Sequence, residues 1–179
     1  MKQAIRKKLI AQRASLTREA VMKKSVAIIK KLVSLPEFKN AKNVLIYASY
    51  GNEVDTHELI KEYIKKKNII LPKVEGDNIE LYVLKNHSDL LSGAFNIPEP
   101  ATGKSASIAK TELIIVPGIA FDTQKNRLGH GKGYFDKLLS GTKAKKIALA
   151  FDFQIVKKIP AEMHDIKMDK IITEKRVIE

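Results

Sequence analysis

Between Arg127 and Asp136 the chain reads RLGHGKGYFD, which puts Gly129, Gly131 and Gly133 within five positions of a chain with nine glycines in all. Glycine costs backbone entropy on folding, so such a cluster predicts a backbone that approaches something closely or turns where other residues cannot. Arg127, His130 and Lys132 are interleaved with the glycines. Consecutive backbone N–H groups beside basic side chains suit an anion, a phosphate above all. Asp136 is spaced to hold a magnesium ion that bridges phosphate oxygens. The competing reading is an ordinary turn, with Asp136 a favourable acid near a helix start. The spacing matches neither G-x-x-x-x-G-K-[ST] nor G-x-G-x-x-G, so neither the P-loop nor the dinucleotide fingerprint is supported.

The elements around this stretch alternate. ELIIVPG (112–118) reads as a central strand, the next dozen residues as a loop, and GYFDKLLSG as a helix opened by the glycines and ended by Gly141. Ligands of open α/β sheets bind beyond the carboxyl ends of strands, and helix starts favour anions. Upstream, Ile5, Leu9, Gln12/Arg13 and Leu16 mark a short basic amphipathic helix. Thr17 is spaced to cap a second helix that stops near Pro36. NVLIYAS is a buried strand, DTHELIKEYIKKKN a helix capped by Asp55 or Thr56, and IILPKV and IELYVLK two more strands. Residues 86–110 are turn-rich and read as a connection, KIALAFDF as a strand, and DKIITEKRVIE as a last strand with a polar tail. The order predicts a single α/β domain over residues 1–179, a mostly parallel central sheet flanked by helices, with residues 1–35 a basic helical part of it.

Composition narrows the function classes. The absence of cysteine excludes a disulfide framework and a thiolate metal site. No apolar run approaches the ~20 residues of a membrane span, and MKQAIRKKLIAQR has no continuous apolar stretch of the secretory kind. A cytoplasmic protein is expected. Ten of the thirteen net positive charges fall in residues 1–43, where twelve Lys and Arg face only Glu19 and Glu37. That asymmetry suits nucleic acid, an anionic surface or a polyanionic small ligand; the plain alternative is a solvated, lysine-rich helix face.

The segment IIVPGIAFDTQKNRLGHGKGYFDKLL closely resembles the signature of the 5-formyltetrahydrofolate cyclo-ligases, also called 5,10-methenyltetrahydrofolate synthetases. KQAIR, YASYGNEVDTHELI, NIPEP and HDIKMDKII resemble further landmarks of that family in the same order, so the likeness spans nearly the whole chain. It implies an ATP- and magnesium-dependent ring closure. The formyl oxygen of 5-formyltetrahydrofolate attacks the γ-phosphate of ATP, nitrogen 10 then closes the ring, and 5,10-methenyltetrahydrofolate, ADP and phosphate leave. Such chemistry asks for positioning and charge stabilisation rather than a covalent nucleophile.

The resemblance also implies a site. ATP would meet Lys2, Gln3, Ala4, Ile5 and Arg6, with Lys2 and Arg6 one helical turn apart, and the loop Arg127, Leu128, Gly129, His130, Gly131, Lys132, Gly133, Tyr134 and Phe135. The folate would meet Ala48, Glu53 and the run His130 to Tyr134. Lys132 and Arg127 would stabilise the transferred phosphoryl group, with Tyr134 stacking on or bonding to the pterin. Asp136 and Asp165 match the magnesium acids, Asp169 being a competitor for the second role. His57, His87 and His164 show no metal-ligand spacing and read as surface residues. Lys125 stands where the family commonly has glycine, Phe135 where it has a second tyrosine, and His130 where arginine is frequent.

The expected partners are therefore small molecules, ATP and a folate with or without a polyglutamate tail, acting on a monomer with no membrane contact. A nucleic-acid binder using the basic helices is the rival reading, disfavoured because no aromatics interleave with the basic residues. A small-molecule phosphotransferase would share the glycine loop and the magnesium acid but would accumulate a phosphorylated product.

Overall fold

The structure is a computed structural model that describes residues 1–75, 78–92, 98–100, 104–160, 162 and 165–179. Its helices are α1 (Lys2–Ala14), α2 (Arg18–Ser34), α3 (Pro36–Asn40), α4 (His57–Tyr63) and α5 (Tyr134–Ser140). Its strands are β1 (Asn43–Leu45), β2 (Asn68–Glu75), β3 (Asn78–Val83), β4 (Leu90–Ser92), β5 (Pro98–Pro100), β6 (Lys104–Ser105), β7 (Leu113–Val116), β8 (Ala120–Asp122), β9 (Arg127–Leu128), β10 (Lys145–Leu149), β11 (Ile155–Val156), β12 (Lys170–Ile172) and β13 (Val177–Ile178).

Eight strands form the central sheet in the order β13-β12-β10-β7-β1-β2-β3-β6. The five from β12 to β2 run parallel, and β13, β3 and β6 add antiparallel edges. The mostly parallel sheet expected above is therefore present. Its inner strands are apolar on both faces, as strands covered on both sides must be. Along β7, Leu113 and Ile115 pack with Val21, Ile28, Leu32, Phe38 and Ile60 of α2, α3 and α4. The alternate residues Ile114 and Val116 pack with Leu139 of α5, Phe121 and Met168. A third cluster joins Leu9 and Ile5 of α1 to Ile119, Ala120, Leu128 and Ile159, so α1 lies on a small sheet ordered β11-β8-β9.

Helix boundaries follow local chemistry. Thr17 caps α2, its hydroxyl accepting from Ala20 N at 3.2 Å. Pro36 both ends α2 and opens α3, since a proline lacks only an N–H that a first turn leaves unpaired. At α4 the carboxylate of Asp55 accepts from His57 N, while Thr56 is buried and its hydroxyl instead joins Tyr47 O and Ser49 N.

Several expectations need correction. The dozen residues after β7 are not a plain loop: β8 and β9 form a hairpin within them, and its Arg127 is paired with Phe121. The C-terminal strand is two strands, β12 and β13, folded back on each other. The described residues among 86–110 hold short strands and single-turn helices at His87–Asp89 and Ile108–Lys110 rather than a bare connection. Asn96 and Ile97 of the NIPEP landmark, and His164, lie outside the described residues. His57 and His87 are half-buried rather than freely exposed. Their rings meet edge to face at 5.9 Å, and His57 Nε2 lies 2.9 Å from Ser49 O.

The β8–β9 turn carries a local strain. Lys125 has φ 65°, the only positive value among described non-glycine residues, where the family commonly has glycine. The chain makes the left-handed turn despite the lysine, so the substitution strains the turn without redirecting it. A Cβ in that region costs about 1 kcal/mol. Lys125→Gly is expected to raise the urea midpoint by the equivalent of ~0.5–1 kcal/mol, the gain from relieved strain being partly offset by chain entropy. An unchanged or lower midpoint would show that the lysine side chain contributes more than its backbone costs.

Candidate active site

In a parallel sheet the segments that follow each strand emerge on one edge. Here those segments follow β1, β7 and β10, and they converge. A small pocket on this edge, with room for about one water, is lined by Tyr47, Glu53 and Val54 after β1, Pro117 and Gly118 after β7, Leu149 and Gln154 around the end of β10, and Arg13 reaching in from α1. Gln154 holds the floor together: its amide donates to Gly118 O and Ile119 O, each at 3.0 Å, and its carbonyl accepts from Phe151 N at 2.8 Å.

Glu53 is mostly buried, with Oε1 3.6 Å from Arg13 Nη1 and Oε2 accepting from Tyr50 N at 3.1 Å. Burial raises its pKa, opposed by the Arg13 charge and the Tyr50 N–H. Tyr47 is pushed well above the usual tyrosine value, first by burial and then by the Glu53 charge. Ala48 is buried in the core cluster beneath the pocket.

The glycine segment lies against α1. Arg6 Nε donates to Gly129 O at 2.9 Å, and Lys2 Nζ reaches Glu162 at 2.8 Å and Asp165 at 3.3 Å. Lys2 is held above its ordinary pKa, first by the Glu162 hydrogen bond. Lys2 and Arg6 thus share one helix face, as their spacing implied, Arg6 meeting the glycine segment and Lys2 the acids Glu162 and Asp165. Gln3, Ala4 and Ile5 sit between them in the first turns of α1, Ile5 packing into the third cluster. His130 is held below the usual histidine value, first by desolvation and then by the charges of Arg13, Arg127 and Arg6.

The three glycines have different reasons. Gly131 (φ 100°) and Gly133 (φ 71°) take left-handed backbone that a side chain would strain. Gly129 leaves room for Arg127: a Cβ there would sit 2.9 Å from Nη1. The Arg127 side chain is only 4% exposed, bonded to Asp136 Oδ1 at 2.6 Å and Pro117 O at 3.3 Å, with Nε buried and unpartnered. It braces α5 against the end of β7 from beneath the segment. Lys132 is exposed, its Nζ 6.0 Å from the Tyr134 ring centre. Phe135 is half-buried and packs against the core beside Arg127, the guanidinium 5.8 Å from its ring. Helix α5 has only seven residues, so the anion character of the site rests on side-chain cations more than on a helix dipole.

The two candidate metal acids are not gathered into one cluster. Asp136 is paired with Arg127, and Asp165 with Lys2 and with Glu162 N. Among the described residues no group of three or more His, Cys, Asp or Glu is assembled for a metal. Asp169 is removed from contention. It accepts from Lys146 N at 2.7 Å at the start of β10, the edge of the sheet opposite the pocket.

Residues that sequence reasoning passed over carry part of the construction. Arg13 was one basic position among many. Asn52 donates from its amide to Arg13 O, Ala14 O and Leu16 O, tying the turn before Glu53 to the end of α1. Asp122 is fully buried and braces the hairpin that carries Arg127. Asn52 beside Gly51 and Asp122 at a strand end are turn-type residues, and that was their one legible signal.

Together these features define an α/β protein with a cationic, glycine-rich candidate site on the carboxyl edge of its sheet. The comparisons with known proteins assign it further. A sequence model of the 5-formyltetrahydrofolate cyclo-ligase family matches residues 1–174. A probable 5-formyltetrahydrofolate cyclo-ligase of Schizosaccharomyces pombe is 37% identical over 175 residues, covering 86% of this chain and 85% of that protein. The Escherichia coli K12 5-formyltetrahydrofolate cyclo-ligase is 28% identical over 177 residues, 94% and 97% of the two chains. Among solved structures, 5,10-methenyltetrahydrofolate synthetase of Aquifex aeolicus superposes with a TM-score of 0.90 at 42% identity, over 98% of this chain and 91% of that one. The chain belongs to the 5-formyltetrahydrofolate cyclo-ligase family. No helix among the described residues is long and apolar enough to cross a membrane.

Proposed function

We propose that this chain catalyses the ATP-dependent cyclisation of 5-formyltetrahydrofolate to 5,10-methenyltetrahydrofolate, with release of ADP and phosphate. The observation that carries the reading is that Arg6 and Arg127 close on Gly129 and Gly131 of the glycine segment, while the buried carboxylate Glu53 lines a pocket at the carboxyl ends of the strands. The cationic segment suits the triphosphate. A buried carboxylate suits the adjacent N–H donors of a pterin, two of which one carboxylate can accept.

In this reading the residues divide the work. Lys2 to Arg6 and Arg127 to Phe135 form the nucleotide site, with Ile5, Arg127, Leu128 and Phe135 packed behind the residues that face it. Ala48, Glu53 and His130 to Tyr134 line the folate site, so the two substrates meet over Gly131 and Lys132. The formyl oxygen attacks the γ-phosphorus and ADP departs. Nitrogen 10 then attacks the formyl carbon and loses its proton, and the phosphorylated oxygen leaves as phosphate. Lys132 stabilises charge on the phosphoryl group in flight, Arg127 holds the segment from beneath, and Tyr134 borders the pterin. Asp136 and Asp165 would each offer magnesium a carboxylate oxygen on release from Arg127 and Lys2, with water and phosphate oxygens filling the rest of its shell. Bound with ATP, the ion would neutralise phosphate charge. The protein acts as a cytoplasmic monomer, and the lysine-rich N-terminal helices suit a polyglutamate tail.

The test is spectrophotometric: purified protein, 5-formyltetrahydrofolate, ATP and magnesium should give the near-ultraviolet band of the conjugated methenyl bridge. The band should need both ATP and the metal. A phosphorylated folate that accumulates without the band would favour a phosphotransferase. No turnover together with salt-sensitive nucleic-acid binding would favour the rival reading.

A further inference from the structure

We propose that Arg13 is a positioning residue for Glu53, holding that carboxylate ionised and oriented toward the pocket so that it can receive the pterin. The inference rests on the function proposed above and concerns a residue to which that function gives no role.

The geometry is specific. Arg13 is on the last turn of α1, and both Arg13 and Glu53 are mostly withdrawn from water, with side chains 13% and 14% exposed. Both line the same pocket. Their backbones are joined as well, because the Asn52 amide donates to the carbonyls of Arg13, Ala14 and Leu16. Oε2 of Glu53 is held by Tyr50 N, which leaves Oε1 facing the guanidinium. A carboxylate buried this far favours its neutral form unless a cation opposes the burial. In the neutral form one oxygen becomes a donor and is a much weaker acceptor for a pterin N–H. Arg13 is the cation that pairs with Glu53 among the described residues, and it belongs to the helix that also carries Lys2 and Arg6. One helix would thereby couple the nucleotide wall to the folate wall.

The charged and titratable groups around Glu53 are Arg13 from α1 and Tyr47 and Asp55 from the segment after β1, with His130 beyond Arg13. Burial raises the Glu53 pKa and Arg13 lowers it. Removing Arg13 therefore raises it further, and folate affinity should be lost from the acid side at higher pH than in wild type.

The test compares wild type, Arg13→Gln, Arg13→Lys and, as a control, Arg18→Gln, which removes a nearby cation that pairs with Asp55 instead. Thermal melts establish that each is folded. For Arg13→Gln the KM for 5-formyltetrahydrofolate should rise, most steeply toward acid pH, where a shift of one pKa unit is worth up to about tenfold, with the KM for ATP moving much less. The acid limb of kcat/KM for the folate should shift to higher pH. Arg13→Lys should restore most of that limb, and Arg18→Gln should leave it in place. Equal losses toward both substrates, or an unmoved limb in folded Arg13→Gln, would overturn the proposal while leaving the cyclo-ligase reading intact. A second readout is independent of turnover: the carboxyl-carbon NMR titration of Glu53 should move to higher pH in Arg13→Gln. An unchanged titration would overturn the proposal even if wild type turned over no folate.

Discussion

Lys132→Ala is expected to lower kcat by about two to three orders of magnitude, the scale seen when one preorganised electrostatic group is removed from a transition state. Its effect on stability should be small. Lys132 is exposed, and its contact with the Tyr134 ring, at 6.0 Å, is the kind that contributes ~0.5 kcal/mol at a surface. The KM values should change less than kcat, because the charge that Lys132 meets develops as the phosphoryl group transfers. Lys132→Arg should recover part of the rate, since it returns a cation on a longer, planar group. Steady-state kinetics with a thermal melt on the same preparation decides the matter. If kcat stays within a factor of about three, Lys132 is not the phosphoryl-stabilising group, and Arg6 or His130 becomes the better assignment.

Asp122→Ala is expected to cost at least ~3 kcal/mol of folding stability, and to lower the activity of the molecules that remain folded. The carboxylate is fully buried and accepts from Gln124 N, Asn126 N, Asn126 Nδ2 and Ile159 N, at 2.9–3.2 Å. Each donor left without a partner costs about 1–3 kcal/mol, and the losses are not simply additive. These donors hold the β8–β9 turn and fasten it to Ile159, and β9 starts with Arg127. A loosened hairpin would therefore misplace the guanidinium that braces Asp136. Asp122→Asn keeps one accepting oxygen but sets an amide N–H2 against donors, so it should fall short of full rescue. Chemical denaturation gives the stability change. A loss below ~1 kcal/mol would mean that water replaces the carboxylate, and the hairpin would not depend on it.

Much of this protein is legible along the chain, because the chemistry involved is local. The helix from Tyr134 to Ser140, the Thr17 cap and the central position of Leu113–Val116 follow from glycine, hydroxyl and apolar patterns within a few residues. The family, too, is carried by short ordered segments. The hairpin inside 120–128 was hidden because two- and three-residue strands have no measurable period, and the C-terminal hairpin was hidden for the same reason.

The site divides along the same line. Which residue types gather at 127–136 was fixed by the chain, as was the presence of left-handed backbone among the glycines. What each of those residues faces was decided by tertiary contacts between positions far apart. Arg127 reads as a phosphate cation, yet a strand end and Asp136 enclose it. Gly129 reads as an anion-loop glycine, yet its missing Cβ makes room for Arg127. Arg13 reads as one more basic residue on a helix, until packing of α1 over the small sheet sets it against Glu53, forty positions away. Conformational preference is set within a few residues and can be read from them. Burial and charge partnership depend on which surfaces meet, and only the folded chain determines that.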